Sequence, residues 1–316
     1  MSDVALLPVE TVAKERRPAV GYAMALSAGT LFAINGTVSK VILKSGLTSM
    51  RLTEVRCIGA LIGLFAIVLA TRPESLRVGR RELLLLATFG VFGVAFVQLF
   101  YFLAIHRLQI GVSLLIQYLG PLIVALFAHF VLREHVRRRL WVALAFSLGG
   151  LTLVVNLWSG VSLDGLGVLF SLCSAFTFAA YLLFAERALG RRDPISLLCY
   201  GLLFATVFWS IVQPWWSFPF HVPGTTVSLL GHLSHLHLPV WALLAWLIVL
   251  GTIVPFILII GSMQHISATR AGIAAMVEPV VATVVAYGWL DETLGSTQLV
   301  GGAIVLTGIV LAQSAR

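Results

Sequence analysis

Apolar residues run along this chain in long continuous stretches, not in alternation. Ten runs lie near 19–43, 50–71, 83–105, 109–132, 140–157, 164–187, 194–215, 238–262, 269–290 and 296–314. A helix crosses a hydrocarbon core about 30 Å thick with about 20 apolar residues, so each run predicts one spanning helix. The period-two alternation of a membrane strand barrel is not their pattern. The polar breaks are short, which leaves no room for a sizeable extramembrane domain. The expectation is an all-α polytopic membrane protein with ten transmembrane helices. The mixed-charge stretch 1–18 reads as an N-terminal tail. The first run is too long for a signal peptide and lacks small-residue cleavage punctuation.

Composition agrees. Of the 316 residues, 59% are hydrophobic and 11% charged, against about 25% charged in a soluble domain. Folded in water, the chain would have too few polar side chains to cover its surface. The net charge of +8 invites a nucleic-acid reading, but no binding-module motif accompanies it. It is better explained by topology, because basic residues near membrane ends favour the cytoplasm. With ten spans and the N-terminus inside, 16 of the 21 Lys and Arg residues fall on the inner side. Lys44, Arg51 and Arg107 fall outside. Both termini are therefore expected to be cytoplasmic.

Several chemistries find no support. Cys57, Cys173 and Cys199 lack paired spacing, so neither a disulfide nor a zinc site is implied. No Gly-x4-Gly-Lys-Ser/Thr loop is present, which argues against hydrolysis of ATP by a P-loop. The acids are dispersed, whereas an integral membrane enzyme needs a cluster at one interface. No enzyme activity, cofactor or metal is therefore expected. The loop before the eighth run carries His221, His232, His235 and His237. Its interleaved leucines suggest a half-submerged segment more than a metal tract.

The chain repeats itself. A shift of 158 residues brings Pro121 onto Pro279, Glu134 onto Glu292 and Gly150 onto Gly308 without a gap. At the front of each half a shift of 146 matches Gly21, Phe32 and Ala33 to Gly167, Phe178 and Ala179. The difference of 12 residues is absorbed by the longer loop before the eighth run. Five spans per half is an odd number, so the halves, 19–157 and 158–316, enter the membrane from opposite sides. Inverted repeats of this kind build secondary transporters, with the substrate site near midplane at the repeat interface. A duplicated structural bundle without a pathway is the alternative.

The stretch Gln117-Tyr-Leu-Gly-Pro121 through Glu134 resembles one EamA signature of the drug/metabolite transporter superfamily. Val277-Glu-Pro-Val280 through Asp291-Glu292, with Gln298-Leu-Val-Gly-Gly-Ala-Ile-Val-Leu-Thr-Gly308, resembles its partner. Within that superfamily the chain is most similar to the YddG-type aromatic amino acid exporters. The resemblance implies ten helices around a central cavity and efflux of amino acids or related metabolites across a bacterial inner membrane. Other metabolites, cationic drugs or a passive channel are the competing readings.

Ionisable groups inside a span are costly and mark function by default. Glu278 lies eight residues past Arg270, about 12 Å along a helix and near the bilayer middle. Three roles are open to it: a counter-charge for a substrate ammonium, a proton carrier, or a buried structural acid. Beside it, Pro279 removes a backbone donor, and Pro121 does the same in the first half. Both are candidate helix-break hinges. Gln98 and Tyr101 share a helix face with i, i+3 spacing, and Gln117 shares one with Ser113 at i, i+4. With Tyr118, Asn35 and Tyr181 they form the candidate cavity lining, helix–helix hydrogen bonding being the alternative. Together these groups offer acceptors, donors and ring faces for an amino acid, but no fixed cation. Lys40 lies near the outer end of its span, where snorkelling competes with a binding role. Glu54 and Arg56 sit near the outer start of the next span, and with Lys40 they are a candidate outer gate. Small residues at spacing four, Ala145 and Gly149 with Ala303 and Thr307, predict close helix packing. A monomer is the default expectation, with dimerisation through these faces as the alternative. The expected partners are thus a small amino acid substrate and the lipid bilayer, with no nucleic acid.

Overall fold

The computed structural model describes residues 17–131, 133, 138–155, 164–189, 192–262, 264–266, 271, 274, 275 and 277–313. Most of the tail 1–18, the boundary at 157 and 158, and Glu134 lie outside them. The described chain is helical with one small hairpin. Its helices are α1 (Pro18–Leu43), α2 (Ser49–Thr71), α3 (Arg80–Thr88), α4 (Phe96–Ile105), α5 (Ile110–Gln117), α6 (Gly120–Phe130), α7 (Arg138–Val155), α8 (Gly165–Leu189), α9 (Pro194–Val212), α10 (Val240–Ile248), α11 (Val254–Ser262), α12 (Val277–Leu290) and α13 (Ser296–Gln313).

Among the described residues, six segments are long and apolar enough to cross a membrane: Pro18–Leu43, Ser49–Thr71, Glu82–Ile105, Gly165–Ala185, Ile195–Val212 and Val240–Ser262. Shorter apolar helices occupy Ile110–Val124, Ala145–Val154 and Val277–Leu290. Large apolar side chains face outward along them, including Ile62, Leu84, Phe176, Ile211 and Val284. In water that surface would be unfavourable. Against lipid it is the solvated face, while the backbone hydrogen bonds are closed within each helix.

Local chemistry sets the helix ends. Thr48 caps α2 by accepting from the Arg51 N–H at 3.2 Å, and Asp193 caps α9 by accepting from Ser196 at 3.1 Å. Asp164 does the same for α8 through the Gly167 N–H at 2.9 Å. That bond, with the Arg107 guanidinium beside it, holds the Asp164 carboxyl below its usual range. Arg133 and Asp291 follow α6 and α12 with φ of 55° and 60°, and the Glu292 N–H returns to the Ala286 carbonyl at 3.2 Å. These two left-handed residues stand 158 positions apart.

Two of the runs predicted as uniform helices are interrupted by π-helical turns, Phe89–Ala95 between α3 and α4 and Val249–Ile253 between α10 and α11. They too correspond at a spacing of 158. A π-turn detaches carbonyls from their usual i+4 partners, which frees them for side chains. A third run, 109–132, is divided at Tyr118 and Leu119 into α5 and α6. Pro121 in the first turn of α6 has no N–H to offer the Gln117 carbonyl, so the helix stops and restarts.

α7 and α13 cross with their backbones nearly touching. A Cβ on Gly150 would lie 2.7 Å from the Gly301 carbonyl, and a Cβ on Gly301 equally close to the Gly150 carbonyl. The small residues singled out for this role, Ala145, Gly149, Ala303 and Thr307, are instead exposed. The correction is one helical position at Gly150, about 100° around the axis.

The histidine-bearing loop forms a short hairpin. Thr226–Ser228 and His237–Pro239 pair antiparallel, with Val227 and Leu229 buried and His232, His235 and His237 exposed. The Trp289 indole donates to the Leu229 carbonyl at 2.7 Å, seating the hairpin on the end of α12. Among the described residues no group of His, Cys, Asp or Glu is arranged to hold a metal.

Candidate functional site

The break between α5 and α6 aims a side chain. Tyr118 ends α5, its N–H still bonded to the Leu114 carbonyl at 2.9 Å. Its buried phenol donates to Glu278 Oε2 at 2.7 Å, 160 residues along the chain, and lies 3.4 Å from the Ala275 carbonyl. Glu278 is half-buried in the first turn of α12, where the helix dipole favours a negative charge. Pro279 follows it inside the same turn.

A second polar group surrounds the π-turn Val249–Ile253. Arg56 Nε donates to Thr252 Oγ1 at 2.9 Å and Nη2 to the Gly251 carbonyl at 3.3 Å. Thr252 in turn donates to the Leu247 carbonyl, five residues back, at 2.8 Å. The Arg56 guanidinium lies 5.6 Å from the centre of the Phe102 ring, within cation–π range. Arg56 and Glu278 interact through space, with no direct ion pair between them.

Asn35 and Tyr101 close this group. A Cβ on Gly251 would sit 2.2 Å from Asn35 Oδ1, and a Cβ on Gly36 would sit 2.6 Å from the Tyr101 hydroxyl. Only glycine admits these approaches. Asn35 is 3% exposed and Tyr101 8%. Asn35 Oδ1, the Tyr101 hydroxyl and Gln117 Oε1 have no hydrogen-bond partner among the described residues. A buried polar atom left unpaired costs about 1–3 kcal/mol, so each needs an explanation.

The other two lining candidates stand apart. Gln98 is buried with its Oε1 4.0 Å from the Cys57 sulfur. Tyr181 belongs to a row of rings, 5.2 Å from Phe89 and 6.1 Å from Phe178, whose far member Phe178 lies 6.2 Å from Tyr118.

Lys40, Glu54 and Arg56 do not form one network. Lys40 Nζ bonds Glu292 Oε1 at 2.5 Å and the Leu108 carbonyl at 2.9 Å, while Glu292 Oε2 accepts from the Ile110 N–H at 3.1 Å. Glu54 is fully buried against Arg51 at 2.6 Å, and Arg51 reaches on to the Gln213 carbonyl and Ser217. Two positions from Glu54, Arg56 points about 200° around the helix, toward the π-turn Val249–Ile253 and not toward Arg51. It lies seven residues into α2, about 10 Å from its start. The opposite end of the bundle is tied by Arg192, which donates to Glu82 Oε2 at 2.9 Å and to the Ser75 carbonyl at 3.0 Å.

Sequence reasoning named Arg56 only as part of an outer gate and did not foresee its contacts with Gly251 and Thr252. The signal for Arg56 was present in its offset from Glu54. For the π-turn the sequence offers only scattered glycines.

Comparison with known proteins follows the same lines. The EamA-like transporter family matches residues 19–156 and 165–313. An uncharacterized transporter from Archaeoglobus fulgidus is 30% identical over 280 residues, covering 88% of this chain and 91% of that one. The uncharacterized inner membrane transporter YicL of Salmonella typhimurium is 24% identical, covering 92% and 94%. The threonine/homoserine exporter RhtA of Escherichia coli K12 is 27% identical, covering 82% and 79%. A solved crystal structure, 18% identical over 92% of this chain and 96% of the other, superimposes with a TM-score of 0.57 and supports the fold alone. With the family model matched in both halves, this multi-pass membrane protein belongs to the EamA-like transporter family.

Proposed function

We propose that the chain exports amino acids by alternating access. In this reading ten spans form two inverted five-helix halves, 19–157 and 158–316, around a central cavity, with both termini cytoplasmic and the monomer as the working unit. The π-turns and the left-handed helix ends recurring at 158 residues support the repeat. So do two exchanged contacts. Gly93 of one π-turn packs on Tyr181, and Gly251 of the other packs on Asn35. Asn35 and Tyr181 are 146 residues apart, the spacing that relates the fronts of the two halves.

The observation that carries the proposal is the Tyr118–Glu278 hydrogen bond. It joins the break of one half to the acid of the other, where rocking of the halves makes and breaks contacts. Glu278 receives the substrate ammonium there, and Tyr118 holds the carboxylate when no substrate is bound. Asn35, Tyr101 and Gln117 supply the unpaired polar atoms around it. Pro121 and Pro279 keep the two breaks open.

The row of rings Phe89, Tyr181, Phe178 and Tyr118 supports an aromatic side chain on the substrate. The RhtA relatives favour threonine and homoserine as a second reading. Purified protein in liposomes, given labelled phenylalanine, threonine or homoserine with and without a pH gradient, separates the two. Saturable phenylalanine flux supports the first reading, and flux of the hydroxylated amino acids alone supports the second. Absence of saturable flux for every amino acid overturns both.

A further inference from the structure

We propose that Arg56 is the receptor for the substrate's carboxylate and releases its two present acceptors when substrate arrives. The inference rests on the amino acid reading above and adds the group that would distinguish an amino acid from an amine.

Arg56 is 6% exposed, and a buried guanidinium is normally satisfied by a carboxylate in a two-pronged hydrogen bond. Here it has none. Of five N–H donors, two are engaged among the described residues, both with neutral oxygens, and the bond to the Gly251 carbonyl is long at 3.3 Å. Both acceptors come from a π-turn, where the hydrogen bonding is already irregular. A guanidinium resting on neutral acceptors, one of them distant, gains by exchanging them for an anion.

The surroundings fit an α-amino acid. Glu278 lies within electrostatic reach of Arg56 without a direct ion pair, and when ionised it offers a zwitterion the second of the two charges it needs. Asn35 Oδ1 and the Tyr101 hydroxyl stand unpaired beside the same π-turn and α1. The hydroxyl is able to donate to a carboxylate, and the amide oxygen to accept from an ammonium. Phe102 covers one face of the guanidinium, which keeps its donors directed along their plane. A purely structural arginine, pinning α2 to the π-turn, would leave those two atoms unexplained.

The test measures flux of the best transported amino acid into liposomes, competed by its unlabelled form and by its carboxamide. Wild type is expected to prefer the carboxylate by about 10- to 100-fold, the value of hydrogen bonds to a charged group. Arg56→Gln should lose that preference while still binding the carboxamide. Thr252→Val removes one resting acceptor, so it should strengthen binding of the amino acid several-fold and leave the carboxamide unchanged. Should Arg56→Gln fail to fold, Thr252→Val and Arg56→Lys, which keeps the charge but loses the fork, make the same comparison. Retention of full carboxylate preference in Arg56→Gln, or equal effects of Thr252→Val on both ligands, overturns the proposal. If wild type moves no amino acid, the transport reading fails first.

Discussion

The Lys40 ammonium lies 2.5 Å from the Glu292 carboxylate, although 252 residues separate them in the chain. Both are mostly sheltered, at 19% and 14% exposure. Glu292 also accepts from Ile110 at the start of α5, so one carboxylate ties together the ends of α1, α5 and α12. Glu292→Gln should lower stability by about 1–3 kcal/mol, and Lys40→Met by a similar amount. The double variant should cost clearly less than their sum. Melting of the four proteins in detergent checks this, and strictly additive losses would remove the pair from the account of that end.

Glu278 is expected to be needed for flux more than for folding. Glu278→Gln should reduce amino acid transport by at least about tenfold while remaining folded, because a glutamine still accepts the Tyr118 hydrogen bond. Tyr118→Phe removes the resting partner and should leave flux partly intact. Normal transport by Glu278→Gln would exclude the acid from the mechanism.

Gly251→Ala should be disruptive out of proportion to one methyl group. The added Cβ would sit 2.2 Å from Asn35 Oδ1, and overpacking at a rigid contact costs about 1–3 kcal/mol. Combining it with Asn35→Ala should recover most of the stability without recovering flux. If the single variant melts and transports like wild type, the close approach carries no role.

Asp164 provides a pH dependence whose sign is fixed. Its carboxyl is depressed by the Gly167 N–H and by Arg107. The stabilisation is therefore complete above the ordinary value of 3.8 and is lost as pH falls through the lower folded value. Asp164→Ala should melt below wild type from pH 5 to 8, and the two should converge under strongly acidic conditions. A difference that persists unchanged into acid would mean that the charge is irrelevant.

The six described segments of spanning length were legible because an apolar run of that length has few alternatives. The break at Tyr118 was legible because Pro121 cannot donate to Gln117. Tyr118 and Glu278 were each legible as lining candidates, but their hydrogen bond was not. Other features depend on packing that no local pattern encodes. The Lys40–Glu292 pair joins residues whose proximity exists only once α1 and α12 are side by side. The π-turns arise within runs indistinguishable by composition from regular helix. Arg56 was misplaced for a simpler reason. It was grouped with Glu54 by nearness in sequence, although two positions along a helix are nearly opposite faces.

The hairpin Thr226–Pro239 rests on Trp289, and the 12 residues that shift the repeat spacing belong to its segment. Two states interchanged by a perfect twofold operation have equal free energy, and a protein built that way has no preferred direction at rest. An appendage present on one half lifts that degeneracy. Every contact it keeps in one state and breaks in the other becomes a standing bias. In the proposed alternating-access cycle the hairpin is one such bias, and shortening it should move the resting population without altering the site.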